Sequence, residues 1–233
     1  MSEFAAGPAG RIERVRALMA ERGYDAIVVR DEANLRWLTG VKGVFDYTFE
    51  FPHAAFITAD QCLFHTDSRY LNSFEENTSA GSPWVYDMDE GTIPGWVAGK
   101  IAANKCRVCA IEDDMQINFY QGIQRGLEDR SVACMLPLMH DDIRKMRAIK
   151  DAEEIELMRH AQSITDAAFQ HMLGYIKPGM TEKQVRNELE NFMFANGADS
   201  LAFGSIVRAA QHRQPHAVPS DRVIEKGDFV LMD

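Results

Sequence analysis

The chain has 233 residues, enough for one large domain or two of ordinary size. Hydrophobic residues make up 46% and charged residues 26%, which excludes a disordered tail or a fibrous repeat. With 25 Lys and Arg against 35 Asp and Glu the net charge is −10, a field that works against nucleic acid phosphates and anionic lipid, so neither nucleic acid nor membrane is expected as a partner.

In chain order, Arg11–Arg22 places Ile12, Val15, Leu18 and Met19 at helical spacing and stops at Gly23. The apolar run Tyr24–Val29 predicts a strand buried on both faces, and Asn34–Gly40 a helical turn closed by glycine. Ala54–Thr58 and Gln61–His65, parted by Ala59-Asp60, predict a hairpin. Strands follow at Trp84–Asp87 and Arg107–Ile111, with helices at about Gly95–Ala103 and Ile117–Leu127. This alternation predicts a layered α/β domain.

The texture changes near Met139, where a charge-dense stretch leads to Asp151 and Glu154, a capping-box-like helix start. The division is placed between 1–144 and 145–233. The following helix carries Ile155, Met158, Ile164, Ala168, Phe169 and Met172 on one broad stripe. A second capping box, Thr181 with Gln184, opens a helix through Val185, Leu189, Phe192 and Met193. Short strands are predicted at Ser205–Val207 and Phe229–Met232.

No apolar run reaches the ~18 to 20 residues of a membrane span, and Met1–Gly10 lacks the pattern of a secretory leader, so a cytoplasmic location is expected. Four cysteines are too few for a disulfide scaffold. Cys106 and Cys109 form a CxxC, but a predicted strand would turn them to opposite faces, and Cys62 and Cys134 make no second pair, which favours structural thiols over a redox or zinc site. His65, Asp67 and Arg69 read as an Asp–Arg pair at a turn.

Two residues could carry chemistry. Asp233 follows the apolar run Phe229–Met232, and a carboxylate leaving a buried strand needs a cation, either a hard divalent metal or a neighbouring donor in a loop cap. His216 lies in a loop after Pro215, which disfavours helix and so removes the helical i, i+4 metal pair that His212 and His216 superficially match. Imidazole is suited to acid–base work near neutrality, although a lone loop histidine is commonly just exposed.

The stretch from Pro215-His216 through Pro219-Ser220-Asp221-Arg222 and Gly227-Asp228 to Asp233 resembles the pita-bread hydrolase superfamily, which includes aminopeptidase P, prolidase and creatinase. Arg147-x-x-Lys150-Asp151-x-Glu153-Glu154-Ile155 looks like the entry to the same catalytic domain. Asn34–Gly40 and Thr66–Tyr70 look like the N-terminal domain those enzymes share. The resemblance implies a creatinase/prolidase-type α/β N-terminal domain followed by the first, incomplete half of a pita-bread α+β catalytic domain. It implies an enzyme that cleaves peptide bonds before proline, acting on a proline-containing peptide as a homo-oligomer.

Asp233 is then the first of five ligands to two divalent metal ions (Mn, Co or Zn), with the other four beyond it, and His216 is the histidine that steadies the scissile carbonyl. With one ligand of five, the chain is expected to be a truncated copy of a longer protein, to be inactive alone and to bind no metal. One departure is Ala209 where many members have glycine, flanked by Arg208, Gln211 and Arg213, which leaves the substrate class open. Two alternatives stand beside the peptidase. One is a metal-free creatinase-like amidinohydrolase working through His216, and the other a non-catalytic fragment that binds peptide or another subunit. An incomplete half domain is also expected to expose an apolar face and to self-associate.

Overall fold

The computed structural model describes residues 7–41, 52–88, 91–209 and 216–233. The chain forms two compact units, Met1–Asp151 and Ala152–Asp233. Gln211, His212, Arg213 and Pro215 lie outside the described residues.

The first unit is built on a five-stranded mixed sheet. Its strands are β1 (Ala26–Val29), β2 (Ala54–Thr58), β3 (Cys62–His65), β4 (Trp84–Asp87) and β5 (Cys109–Ile111), in the order β4-β3-β2-β1-β5. β1 pairs antiparallel with β2 and parallel with β5; β3 pairs antiparallel with β2 and parallel with β4. The β2–β3 hairpin forms as predicted, its turn closed by Thr58 Oγ1, which accepts from the Gln61 amide at 3.0 Å. Parallel backbone bridges from Val108 and Ile111 to Met135 and Leu138 lengthen the sheet beyond β5.

The period-2 alternation of β1 sorts its side chains between two cores. Ile27 and Val29 join a cluster with Ile12, Val15 and Met19 of α1 (Gly7–Arg22), with Leu35, Trp37 and Leu38 of α2 (Glu32–Thr39), and with Phe74 of α3 (Leu71–Asn77). Ala26 and Val28 join the opposite cluster with Trp96, Val97 and Ile101 of α4 (Ile93–Ala103) and Phe119, Ile123 and Leu127 of α5 (Ile117–Asp129). The result is a three-layer sandwich. α4 and α5 approach closely because α5 offers glycine at the contact: a Cβ on Gly126 would stand 2.7 Å from the Ala98 Cβ.

The expected single turn at Asn34–Gly40 is a longer helix. Asp31 caps it by accepting from the Asn34 amide at 2.7 Å, a signal that begins before the predicted segment, and Gly40 ends it at φ 67°. The helix α3 has no counterpart among the predicted elements; its seven residues bury only Phe74, too little for a periodic pattern. A short helix α6 (Asp142–Ala148) packs Ile143 into the first cluster.

The second unit contains α7 (Ala152–Tyr175), α8 (Glu182–Ala195) and the antiparallel pair β6 (Val207–Ala209) and β7 (Val230–Met232). The Thr181–Gln184 capping box forms in both directions, at 3.2 and 2.9 Å. Of the stripe expected on α7, Ala168 and Met172 pack with Val185 and Leu189 of α8 and Val207 of β6 and Ile164 is buried, whereas Ile155, Met158 and Phe169 are exposed. One helix and two short strands cover a single line of residues four apart, and the flanks of the broad stripe have no neighbour among the described residues. Among the described residues no helix is long and apolar enough to cross a membrane.

His53, beside β2, is fully buried among Phe64, Tyr70 and Phe74 with Thr66 Oγ1 3.1 Å from its Nδ1. Burial pushes its imidazole down to about 4, and the nearby Asp67 only partly opposes this. The folded value lies below the unfolded one. The stabilisation is therefore full above pH 6.5 and lost as the pH falls through about 4. Urea unfolding between pH 7 and pH 4 is expected to show an acid-side loss about 3 kcal/mol larger for the native sequence than for His53→Phe.

Candidate functional site

Glu182, at the first position of α8, is fully buried. Its Oε1 accepts from the Ala209 amide at 2.9 Å, and its Oε2 from the Ser220 amide at 2.9 Å, the Ser220 hydroxyl at 2.7 Å and Arg208 Nη1 at 3.1 Å. Burial alone would raise this carboxyl. The Ser220 side chain, the two amides and the Arg208 charge outweigh it and hold the group below the ordinary carboxylate value.

The α8 N-terminus adds two bonds of its own. The Glu182 and Lys183 amides, which have no partner inside the helix, donate to the carbonyls of Arg222 and Ser220. Lys183 Nζ pairs with Asp221 at 2.7 Å, and Arg222 lies 3.8 Å from Asp228, whose Oδ2 accepts from the Glu225 amide at 2.9 Å. Each polar residue of Ser220-Asp221-Arg222 therefore has a scaffold partner.

This frame holds a cleft of about 260 Å³ lined by Gly204, Ser205, Ile206 and the segment from His216 to Pro219. His216 is exposed on its rim. Asp233 is joined through its backbone to one of the lining residues: its amide donates to Ile206 O at 3.0 Å and its carbonyl accepts from Ile206 N at 2.7 Å. Ile206 thus lines the cleft with His216 and pairs with Asp233, which itself is not among the lining residues.

The surroundings of Asp233 differ from those expected. β7 is only half-buried, Leu231 is exposed, Phe229 is 86% exposed, and Asp233 itself is exposed. Its sheet partner among the described residues is β6 alone, so water reaches the strand and the charge suffers no desolvation that would by itself demand a cation. No group of three or more His, Cys, Asp or Glu side chains that could hold a metal exists among the described residues. The described residues do not make up a two-metal site.

A larger crevice, about 340 Å³, lies in the first unit between Asp31, Asn34, Glu112 and Arg147. Its floor is a closed polar network. Glu112 accepts from the Arg30 and Asp31 amides at 2.5 and 2.8 Å and from Asn34 Nδ2 at 2.7 Å, while Arg147 Nη1 donates to Asn34 Oδ1 at 2.7 Å. Burial pushes Glu112 up to about 7 against those donors, which favour its charged form. These groups satisfy one another and bind the ends of β1 and β5 to α6, an architectural task. Arg147, taken in sequence as part of a catalytic-domain entry motif, does its bonding here. Asp67 and Arg69 pair at 2.7 Å, as the turn reading predicted.

Cys106 and Cys109 do not face opposite ways. Both lie in one core cluster with Cys134 packed against it, because the strand starts only at Cys109 and the Cys106 amide is still bonded to Ile101 O at the end of α4. The structural-thiol reading stands on other grounds. All four cysteines are free, and burial pushes Cys62 and Cys106 up to about 11 and Cys109 well above its ordinary value.

Glu182 was missed in the sequence. It sits inside a capping box, where a glutamate is unremarkable, and the available signal was its place beside the Thr181 cap in a stretch otherwise explained by helix formation.

Residues 156–233 match the family described as Metallopeptidase family M24, and residues 11–149 match the Creatinase/Prolidase N-terminal domain. An uncharacterized peptidase of Bacillus subtilis, YqhT, is 30% identical over 96% of this chain and 60% of its own length. An Xaa-Pro dipeptidase of Pyrococcus horikoshii is 38% identical over 96% of this chain and 59% of its own. Among solved structures, an Xaa-Pro dipeptidase from Bacillus anthracis superposes with a TM-score of 0.81 at 31% identity, covering 96% of this chain and 59% of that one. The chain thus spans about 60% of the length of these relatives.

Iodoacetamide at neutral pH is expected to modify partly exposed Cys134 first and to label Cys62, Cys106 and Cys109 at least about tenfold more slowly until the protein unfolds, as peptide mass mapping over time would show.

Proposed function

Because the chain belongs to the creatinase/prolidase family, with the N-terminal domain at 11–149 and a Metallopeptidase family M24 segment at 156–233, we propose that it contributes to a metal-dependent hydrolase that cleaves peptide bonds before proline. The link through Ile206 carries the proposal, since this residue lines a cleft with His216 and is the backbone partner of Asp233, all within the M24 segment. His216 is assigned to the substrate carbonyl, to which its ring can donate. Asp233 is assigned as one ligand of a pair of divalent ions, Mn, Co or Zn, which when bound would supply Lewis acidity. The dipeptidase relatives support a proline-containing peptide as substrate.

A lone carboxylate holds two divalent ions weakly. Residues 1–233 alone are therefore expected to release no proline from an Xaa-Pro dipeptide in the presence of Mn, Co or Zn, and equilibrium dialysis is expected to find no pair of tightly held ions. Turnover by this chain with two ions bound would refute the assignment. Chelator-resistant hydrolysis of a guanidino compound that is abolished by His216→Ala would favour the metal-free amidinohydrolase. Chelator-insensitive binding of a proline peptide without turnover would favour the binding fragment.

The exposed apolar side chains Met158, Phe169 and Leu173 of α7 and Phe229 and Leu231 at β7 leave the second unit with much uncovered hydrocarbon. Sedimentation at rising concentration is expected to show species heavier than a monomer, and Phe169→Glu with Phe229→Glu to shift the distribution toward the monomer; a wild-type monomer throughout would remove the homo-oligomer from the proposal.

A further inference from the structure

β6 ends at Ala209, and the segment that begins at His216 reaches the start of α8 at Ser220. Ala209 and Ser220 are tied to one carboxylate. Glu182 Oε1 takes the Ala209 amide and Glu182 Oε2 takes the Ser220 amide and hydroxyl. The donors come from the end of β6 and from the residue four after His216, and the acceptor from α8, so one group joins three parts of the unit. Arg208 Nη1, from the strand just before the loop, adds its charge to the same oxygen that holds Ser220.

Such a carboxylate is not needed for the helix. The α8 N-terminus already has its cap in Thr181 and its reciprocal bond from Gln184. A buried charge is costly unless fully hydrogen-bonded, and an apolar residue at the first position of α8 would fold more simply. What the buried charge adds is direction: four donors converging on two oxygens fix the separation and orientation of residues 209 and 220 more tightly than apolar packing does.

We propose that Glu182 is the positioning residue of this site, a staple that ties Ser220, four residues after His216, to the end of β6 and thereby sets where the imidazole stands at the cleft. The staple acts through the Ala209 and Ser220 amides and touches no substrate. Its importance for catalysis rests on His216 being the reacting imidazole, but the staple itself does not, and it is measured without any turnover.

The test uses the 233-residue protein labelled for NMR, with two variants. Glu182→Gln keeps the shape, but its amide nitrogen cannot accept a hydrogen bond, so one set of donors is stranded. Ser220→Ala leaves the carboxylate and removes the hydroxyl that donates to it and that accepts from the Arg222 amide at 3.2 Å. In Glu182→Gln, hydrogen exchange at the Ala209 and Ser220 amides is expected to quicken at least about tenfold, while Ala168 and Val185 amides in the core of the unit keep their protection. The His216 ring signal is expected to shift or split in the same variant, and Ser220→Ala to move it in the same direction by less. The proposal is overturned if both variants fold and leave the loop amides and the His216 signal unchanged. It is equally overturned if loop and core amides lose protection together, since Glu182 would then serve the stability of the whole unit and not the placement of the loop.

Discussion

A carboxylate removed from water must be saturated with donors or give up its charge, and each unit of this protein is organised around one such group. Glu112 gathers the Arg30 and Asp31 amides and the Asn34 side chain at the ends of two parallel strands. Glu182 gathers Arg208, Ala209 and Ser220 at the start of α8. The two outcomes differ. Three neutral donors do not overcome the burial of Glu112, whereas at Glu182 a hydroxyl, two amides and a guanidinium do. At Glu182 the Ser220 hydroxyl leads the opposing contributions and the Arg208 charge is the smallest of them, whereas at Glu112 the nearby Asp31 charge adds to the effect of burial. The loop architecture around the cleft can therefore rely on Glu182 staying ionised where that at Glu112 tolerates a proton.

The sheet of the first unit was legible because its signals are local. β1 is an unbroken apolar run, the β2–β3 hairpin is bounded by a turn residue that makes its own closing bond, and the α8 capping box is written in two side chains. What escaped was set by residues outside each apolar pattern. The length of α2 depends on Asp31, which precedes the apolar spacing. The facing of Cys106 depends on how α4 ends, and the exposure of the α7 stripe on how little stands opposite it. Periodicity states which residues could be buried together; the amount of chain available to cover them decides which ones are.

The site was legible in part, and the division follows the same line. His216 and Asp233 stand out as residue types, and the resemblance of their segments to a known family pointed to them. Their common neighbour Ile206 is an ordinary aliphatic residue whose role lies wholly in its backbone, in the two bonds to Asp233 and in the wall it gives the cleft. Arg147, read in sequence only as part of a motif, shows its partner Asn34 in the structure alone: a motif records which residues recur together, not which of them touch.

Ser220-Asp221-Arg222 shows what such a motif is physically. Ser220 bonds Glu182, Asp221 pairs with Lys183, and Arg222 faces Asp228, so the segment is fastened at three successive positions to two elements. Each of these side chains is held by a protein partner, and the residues proposed to carry chemistry flank the segment on either side in the sequence. A residue that must hold still while reacting gains from neighbours whose own bonds are complete, because a partly bonded neighbour would compete for its hydrogen bonds. The His216 ring and the Asp233 side chain, both exposed, are then the groups that this fastening leaves available to the proposed roles.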